Sequence, residues 1–180
     1  MISAGLTDRA GRHIALCEVD DENWRAVADV APLDEQRAFA PALAARYLLL
    51  SSREGVWHSL AVTAGGTVVG HVMWARDEDD GSHWIGGMLI DGPEQGAGVG
   101  RAAVRTLMAW LAGREDCHVL RLSYEPGNTA AGKLYTSLGF RPTAASEGDE
   151  VVVELPAGAV DGAVSGAADA TGSVAGSPTG

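Results

Sequence analysis

The sequence predicts an α/β fold with a mixed, mostly antiparallel central sheet flanked by helices. Three observations predict it. Short runs of strand-like alternation recur along the chain. Two of these runs, residues 57–63 and 67–74, are joined through Gly65-Gly66, a tight hairpin signal that makes them antiparallel neighbours. Two segments of helical period, 100–114 and 128–138, each lie between strand-like runs.

Taken in order, residues 13–19 read as a first strand. Asp20 or Asp21 can cap a helix reaching Val30, with Trp24, Val27 and Val30 three apart on one face. A second helical stretch covers 34–51 and is broken near Pro41, which removes a helical donor. The hairpin comes next, then a polar turn over 77–82 and a strand over 83–90. The glycine-rich run 91–100 leads into a helix whose apolar face is Val104, Leu107, Met108 and Leu111. Leu120, Leu122 and Tyr124 alternate with Arg121 and Ser123, which is strand spacing. Pro126-Gly127-Asn128 turns the chain, and Asn128 or Thr129 caps a helix with Ala131, Leu134, Tyr135 and Leu138 inward. Gly139 sits where a helix C-terminal glycine belongs. Phe140 opens another strand, and 150–155 is the last.

Composition narrows the function classes. The chain has 180 residues, 46% of them apolar, enough for one domain with a core. Residues 1–12 are expected to be flexible, 13–156 to form the domain, and 157–180 to be a disordered Gly/Ala-rich tail. No internal repeat is visible. No run approaches the ~18 apolar residues of a membrane span, and the N-terminus has no secretory pattern. Cys17 and Cys117 do not make a disulfide framework, which fits a cytoplasmic protein. The net charge is −11, from 24 acidic and 13 basic residues, which argues against nucleic acid as a partner. Acidity keeps a protein soluble, and it also concentrates small cations. The five histidines are scattered, with no metal-ligand spacing.

The run Gln95-Gly96-Ala97-Gly98-Val99-Gly100-Arg101 carries the chemistry. Its glycines let backbone N–H groups approach a ligand, and the following helix adds a favourable dipole, so it reads as a pyrophosphate cradle. A Walker loop would need a Gly-Lys-Ser/Thr that is missing, and a dinucleotide fingerprint would need a glycine where Arg101 stands. A tight strand-to-helix turn without a ligand would also account for the glycines. The remaining spacing, Q-x-x-G-x-G, resembles the coenzyme A loop of GNAT acetyltransferases. Asn128 to Phe140, NTAAGKLYTSLGF, resembles the N-x-x-A-x-x-L-Y-x-x-L-G-F helix of the same superfamily. The combination of WIGGMLID, QGAGVGR and LSYEPGNTAAGKLYTSLGF is most similar to bacterial spermine/spermidine N-acetyltransferases. The stretch DEQRAFAP from Asp34 is similar to their acceptor-side helix region.

The resemblance implies a GNAT-like fold, acetyl-CoA as co-substrate and a small cationic amine as acceptor. The leading acceptor it implies is a polyamine. An aminoglycoside-type antibiotic is the alternative, as is a non-catalytic acetyl-CoA sensor. By the same resemblance, Met88, Leu89 and Ile90 pair with the pantetheine arm, and one backbone N–H there serves as oxyanion donor. Gln95, Gly96, Ala97, Gly98, Val99, Gly100 and Arg101 are implied to hold the pyrophosphate, mostly by backbone N–H. Arg101 either adds a charged contact or points to solvent. Asn128 is implied to touch the cofactor arm while capping its helix. Tyr135 is the implied general acid toward the coenzyme A sulfur; a phenol of pKa ~10 lies near a thiol of ~8.5. Polyamine acetyltransferases of this kind often carry an acidic residue on the strand before the loop, and this sequence departs from that pattern, since the strand reads Ile85-Gly86-Gly87. Glu125 and His83 remain as candidate bases. Asp77-Glu78-Asp79-Asp80 is either a solvated turn or an amine attractor, and Trp74 and Trp84 either pack the core or line an amine site. Neither cysteine sits in a nucleophile setting, so direct attack is expected over an acyl-enzyme. Family analogy also implies a homodimer.

Overall fold

The computed structural model describes residues 1–160. Seven strands form one sheet: β1 (Ile14–Glu18), β2 (His58–Ala64), β3 (Thr67–Arg76), β4 (His83–Ile90), β5 (Val119–Tyr124), β6 (Arg141–Glu147) and β7 (Glu150–Pro156). Their order is β1-β2-β3-β4-β5-β7-β6. Every pairing is antiparallel except β4 with β5. Gly65 and Gly66 take φ of 59° and 87°, the left-handed pair that a tight β2–β3 hairpin requires.

Four helices cover the sheet: α1 (Trp24–Ala28), α2 (Ala45–Glu54), α3 (Val99–Ala112) and α4 (Thr129–Ser137). The apolar stripe of α3 lies on β1, β4 and β5, and its Val104, Leu107, Met108 and Leu111 are fully enclosed. Burying such side chains stabilises the fold by roughly 1.5–3 kcal/mol each. The second face of the sheet takes α1 against β3 and α2 against β2. The Asn128 carboxamide caps α4 by accepting from the Ala131 N–H at 3.1 Å.

Several expectations change. The first helix is a single turn over Trp24–Ala28, because Asp20 spends its carboxylate on the Glu22 and Asn23 N–H groups in a turn ahead of it. The stretch after Pro32 is broken around Pro41 as expected, into a 3-10 turn (Asp34–Ala38) and α2, which runs on to Glu54. Residues 1–12 are not loose. Ile2 bridges to Leu16 and Thr7 to His13, and the buried Asp8 carboxylate accepts from the Ala10 and Arg12 N–H groups. Ala157–Ala159 form a 3-10 turn and Val160 is buried in the main core, so the expected tail does not begin at 157. Residues 161–180 of that tail lie outside the described residues.

Candidate active site

The site begins where the sheet stops being a sheet. β4 and β5 pair only at His83–Leu120 and Trp84–Arg121. Beyond Trp84 the facing edge of β4 has no strand partner, and a cleft opens there. A bulge in the β3–β4 register, between His71–Leu89 and Met73–Gly86, bends β4 at this point. Gly87 takes a φ of +56° within the bulge, a conformation that favours glycine.

One cavity, of about 470 Å³, runs along Met88, Leu89 and Ile90 to the loop before α3. Gln95, Gly96, Gly98, Val99, Gly100, Arg101 and Asn128 line it. Gly96 and Gly98 take φ of 76° and 89°. The first turn of α3 has neither a side-chain cap nor an acidic residue, which leaves its N–H groups for an anion. Ala97 does not line the cavity; its carbonyl accepts from the Arg9 N–H at 2.8 Å. The Arg9 guanidinium donates to the Gly96 carbonyl, also at 2.8 Å. Arg12 bonds both the Asp8 carboxylate (2.7 Å) and Glu94 (2.5 Å), so the N-terminal segment braces the loop. Gln95 donates to the Ile90 carbonyl at 2.9 Å and exchanges amide bonds with Gln36 at 2.7 and 2.9 Å. It therefore ties the loop to β4 and to the turn at 34–38. Arg101 reaches the Ser137 hydroxyl at 2.6 Å while facing the cavity.

A second cavity, of about 630 Å³, lies on the other side of Met88. Its wall includes Phe39, Tyr47, Trp57, Trp84 and Tyr124. Five carboxylates, Asp77, Glu78, Glu125, Glu147 and Glu150, face one guanidinium, Arg76, which is already paired with Asp116 at 3.4 Å. The Ser123 hydroxyl donates to the Glu150 carboxylate. Met88, Asn128, Ala131 and Tyr135 belong to both cavities, so Tyr135 stands at their junction. Its ring packs against Tyr124 and Phe140, with centroids 5.9 and 6.1 Å away. Burial pushes its phenol up to about 12.

Residues 13–140 match the Acetyltransferase (GNAT) family. The chain belongs to the GNAT family. It is an acyltransferase, and its co-substrate is acetyl-CoA. The glycine loop, the free N-terminus of α3 and the unpaired edge of β4 fit the diphosphate and the pantetheine arm of that group. Solved GNAT structures share the fold. Mycobacterium smegmatis RimJ, in complex with CoA-disulfide, has a TM-score of 0.72 at 16% identity, over 91% of this chain and 92% of its own. The RimL ribosomal L7/L12 α-N-protein acetyltransferase, in complex with coenzyme A, has 0.63 at 15%, over 87% and 98%. The GNAT domain of S. lividans PAT has 0.64 at 21%, over 85% and 96%. No curated protein sequence matches this GNAT chain.

The cavities gather Met88, Gln95, Arg101, Glu125, Asn128 and Tyr135, and besides Ala97 they leave His83 and Trp74 outside. His83 lines neither cavity. It is fully buried beside Trp74, 6.1 Å between centroids, with Asp116 3.8 Å from its Nε2. Trp74 stacks on His58, meets Trp110 edge to face and is also outside the second cavity, whereas Trp84 lines it. The acidic run divides: Asp77 and Glu78 face the cavity, and Asp80 pairs with Arg121. Arg9, Tyr47, Trp57, His71, Glu147 and Glu150 belong to no motif and carry no local signal in the sequence, and Gln36 lies in the DEQRAFAP stretch without being singled out there. The space that a side chain at position 86 would need is filled by the Trp57 ring, 3.0 Å from an added Cβ. A carboxylate side chain therefore has no room at position 86.

Proposed function

We propose that this GNAT enzyme acetylates a primary amine of a small polycation, a polyamine of the spermine/spermidine kind. The observation that carries the reading is the acceptor-side cavity, with five carboxylates and one already paired guanidinium on walls rich in aromatic rings. Such a wall attracts ammonium groups by charge and by ring faces. A neutral or anionic acceptor would find little to bind there.

The donor supplies an activated thioester. The acceptor nitrogen bonds to the acetyl carbon, the C–S bond breaks, and the proton that nitrogen loses ends on the sulfur. In this reading Gly96, Gly98, Val99 and Gly100 hold the diphosphate by backbone N–H, with Arg101 adding charge, and Asn128 touches the donor arm. The Met88 N–H donates to the acetyl oxygen. Tyr135, at the junction, donates to the sulfur as charge builds there. Glu125, on the acceptor side, takes the ammonium proton. Glu150, fixed by Ser123, holds a second ammonium of the polycation.

The test is thiol release from acetyl-CoA with spermine, spermidine, putrescine, several aminoglycosides and an N-terminal peptide. The peptide belongs in the panel because the RimL structure is named for α-N-protein acetylation. Turnover of the polyamines with the lowest KM is the expected result, and Glu150→Gln should raise that KM about 5–10-fold while leaving the acetyl-CoA KM alone. Selective turnover of an aminoglycoside or of the peptide would reassign the acceptor.

A further inference from the structure

His71 lies in the middle of β3, fully buried, on the face covered by α2. Its Nδ1 is 2.7 Å from the Gly87 carbonyl and its Nε2 is 3.0 Å from the Ser59 hydroxyl. A carbonyl only accepts, so Nδ1 carries the proton and Nε2 accepts from Ser59. The Tyr47 ring stacks on the imidazole, centroids 5.5 Å apart and planes 7° from parallel. The fit is tight from the other side as well: a Cβ at Gly87 would lie 3.0 Å from Met73 and 3.2 Å from His71 Cε1. The bulged carbonyl is therefore held by a ring that is itself held on two edges and one face.

A trans peptide points its C=O and its N–H in opposite directions. With the Gly87 carbonyl turned to His71, the Met88 N–H of the same peptide points away, toward the edge where β4 has no strand partner. Met88 is also shared by the two cavities. We propose that His71 is a positioning residue: it locks the Gly87–Met88 peptide so that the Met88 N–H donates to the acetyl oxygen. Tyr47 lines the acceptor-side cavity, so the same stack joins acceptor binding to the donor's geometry. The inference rests on β4 as the acetyl-binding edge and not on which amine is acetylated.

The experiment compares wild type, His71→Leu and His71→Asn. Asn keeps a donor near the Nδ1 position; Leu does not. Turnover is measured with the best acceptor of the panel, and the Met88 amide is followed by NMR as acetyl-CoA or coenzyme A is added. The expected result is a kcat lower by about 10–100-fold in His71→Leu, with the acetyl-CoA KM within about 3-fold of wild type, and recovery of most of the loss in His71→Asn. The wild-type Met88 amide proton should move downfield with acetyl-CoA more than with coenzyme A, and this difference should vanish in His71→Leu. Should the Leu variant fold poorly, wild type alone decides through the ring nitrogen shifts of His71. An Nε2–H tautomer, or an imidazolium at pH 7, overturns the proposal. So does a Leu variant with wild-type kcat, or one that loses kcat and acetyl-CoA affinity equally. A wild-type Met88 amide that does not distinguish acetyl-CoA from coenzyme A overturns the oxyanion role of β4 itself.

Discussion

Replacing Tyr135 by Phe removes one hydroxyl at the junction of the two cavities and keeps the ring packing against Tyr124 and Phe140. In water a phenol at pKa ~10 and a thiol at ~8.5 are close enough to share a proton readily. Burial moves the Tyr135 phenol to about 12, which widens the gap to about 3.5 pKa values, or about 5 kcal/mol against complete transfer. In the proposed reaction the hydroxyl then acts chiefly as a hydrogen-bond donor to the sulfur as negative charge develops. Losing one such preorganised donor costs about 10²–10³ in rate. Tyr135→Phe should accordingly lower kcat about 100-fold with an acetyl-CoA KM within about 3-fold of wild type. Thiol release under saturating acceptor measures both. The pH profile supplies a second check: the raised phenol keeps its proton through pH 10, so wild-type kcat should show no alkaline loss that Tyr135→Phe abolishes. An alkaline limb breaking at pH 8–10 in wild type and missing in the Phe variant would refute the burial argument. Retention of more than about a third of kcat in the variant would refute the role.

Three further outcomes are expected. Burial, only partly offset by the Gly87 hydrogen bond, holds His71 down at about 4 against 6.5, so the folded state refuses a proton that the unfolded chain accepts. Stability from this residue is whole above pH 6.5 and is lost as pH falls to about 4, by about 3 kcal/mol in all; in urea melts the stability difference between wild type and His71→Asn should change across that window and stay constant above it. Arg9→Ala removes the guanidinium bond to the Gly96 carbonyl and leaves the Arg9 N–H bond to Ala97, so the acetyl-CoA KM should rise about 5-fold, for about 1 kcal/mol, with kcat unchanged. Gly98→Ala forces a side chain into a φ of 89°, and both thermal stability, by about 1–2 kcal/mol, and acetyl-CoA affinity should fall.

Legibility in the sequence tracks the range of the signal. The glycine loop is legible because its requirements are local: glycines at positions of positive φ, just ahead of a helix N-terminus. The cap at Asn128 and the Tyr135 position share a helix of fixed period, so they too are local. Arg9 is illegible because its partner Gly96 lies 87 residues away, and Gln36 because Gln95 lies 59 away. Trp74 and Trp84 fail for a different reason. Both read as strand aromatics, and only register decides the face. Trp74 pairs across with Ile85, while Trp84 pairs with Ala75, and cross-strand partners share a face. Ala75 and Trp84 line the second cavity, while Trp74 packs edge to face on Trp110 of α3.

The missing β4 carboxylate is the clearest case in which local and global readings have to be joined. From the strand alone, Ile85-Gly86-Gly87 looks like the loss of a catalytic group. In the fold, Gly86 is small because Trp57 lies over it, and Gly87 is glycine because the bulge needs a positive φ under Met73 and His71. The carboxylates appear instead on the opposite wall, on and just beyond β5 and at the β6–β7 hairpin, as Glu125, Glu147 and Glu150. β5 and β7 are antiparallel partners there, with Tyr124 opposite Val151, so Glu125 and Glu150 flank the same end of one ladder. An ammonium entering between Trp57 and that ladder would meet an apolar ring over Gly86 and the carboxylates of Glu125 and Glu150 at the end of the ladder. In the proposed reaction, the opening in the sheet that frees the Met88 N–H also brings the amine in beside Glu125.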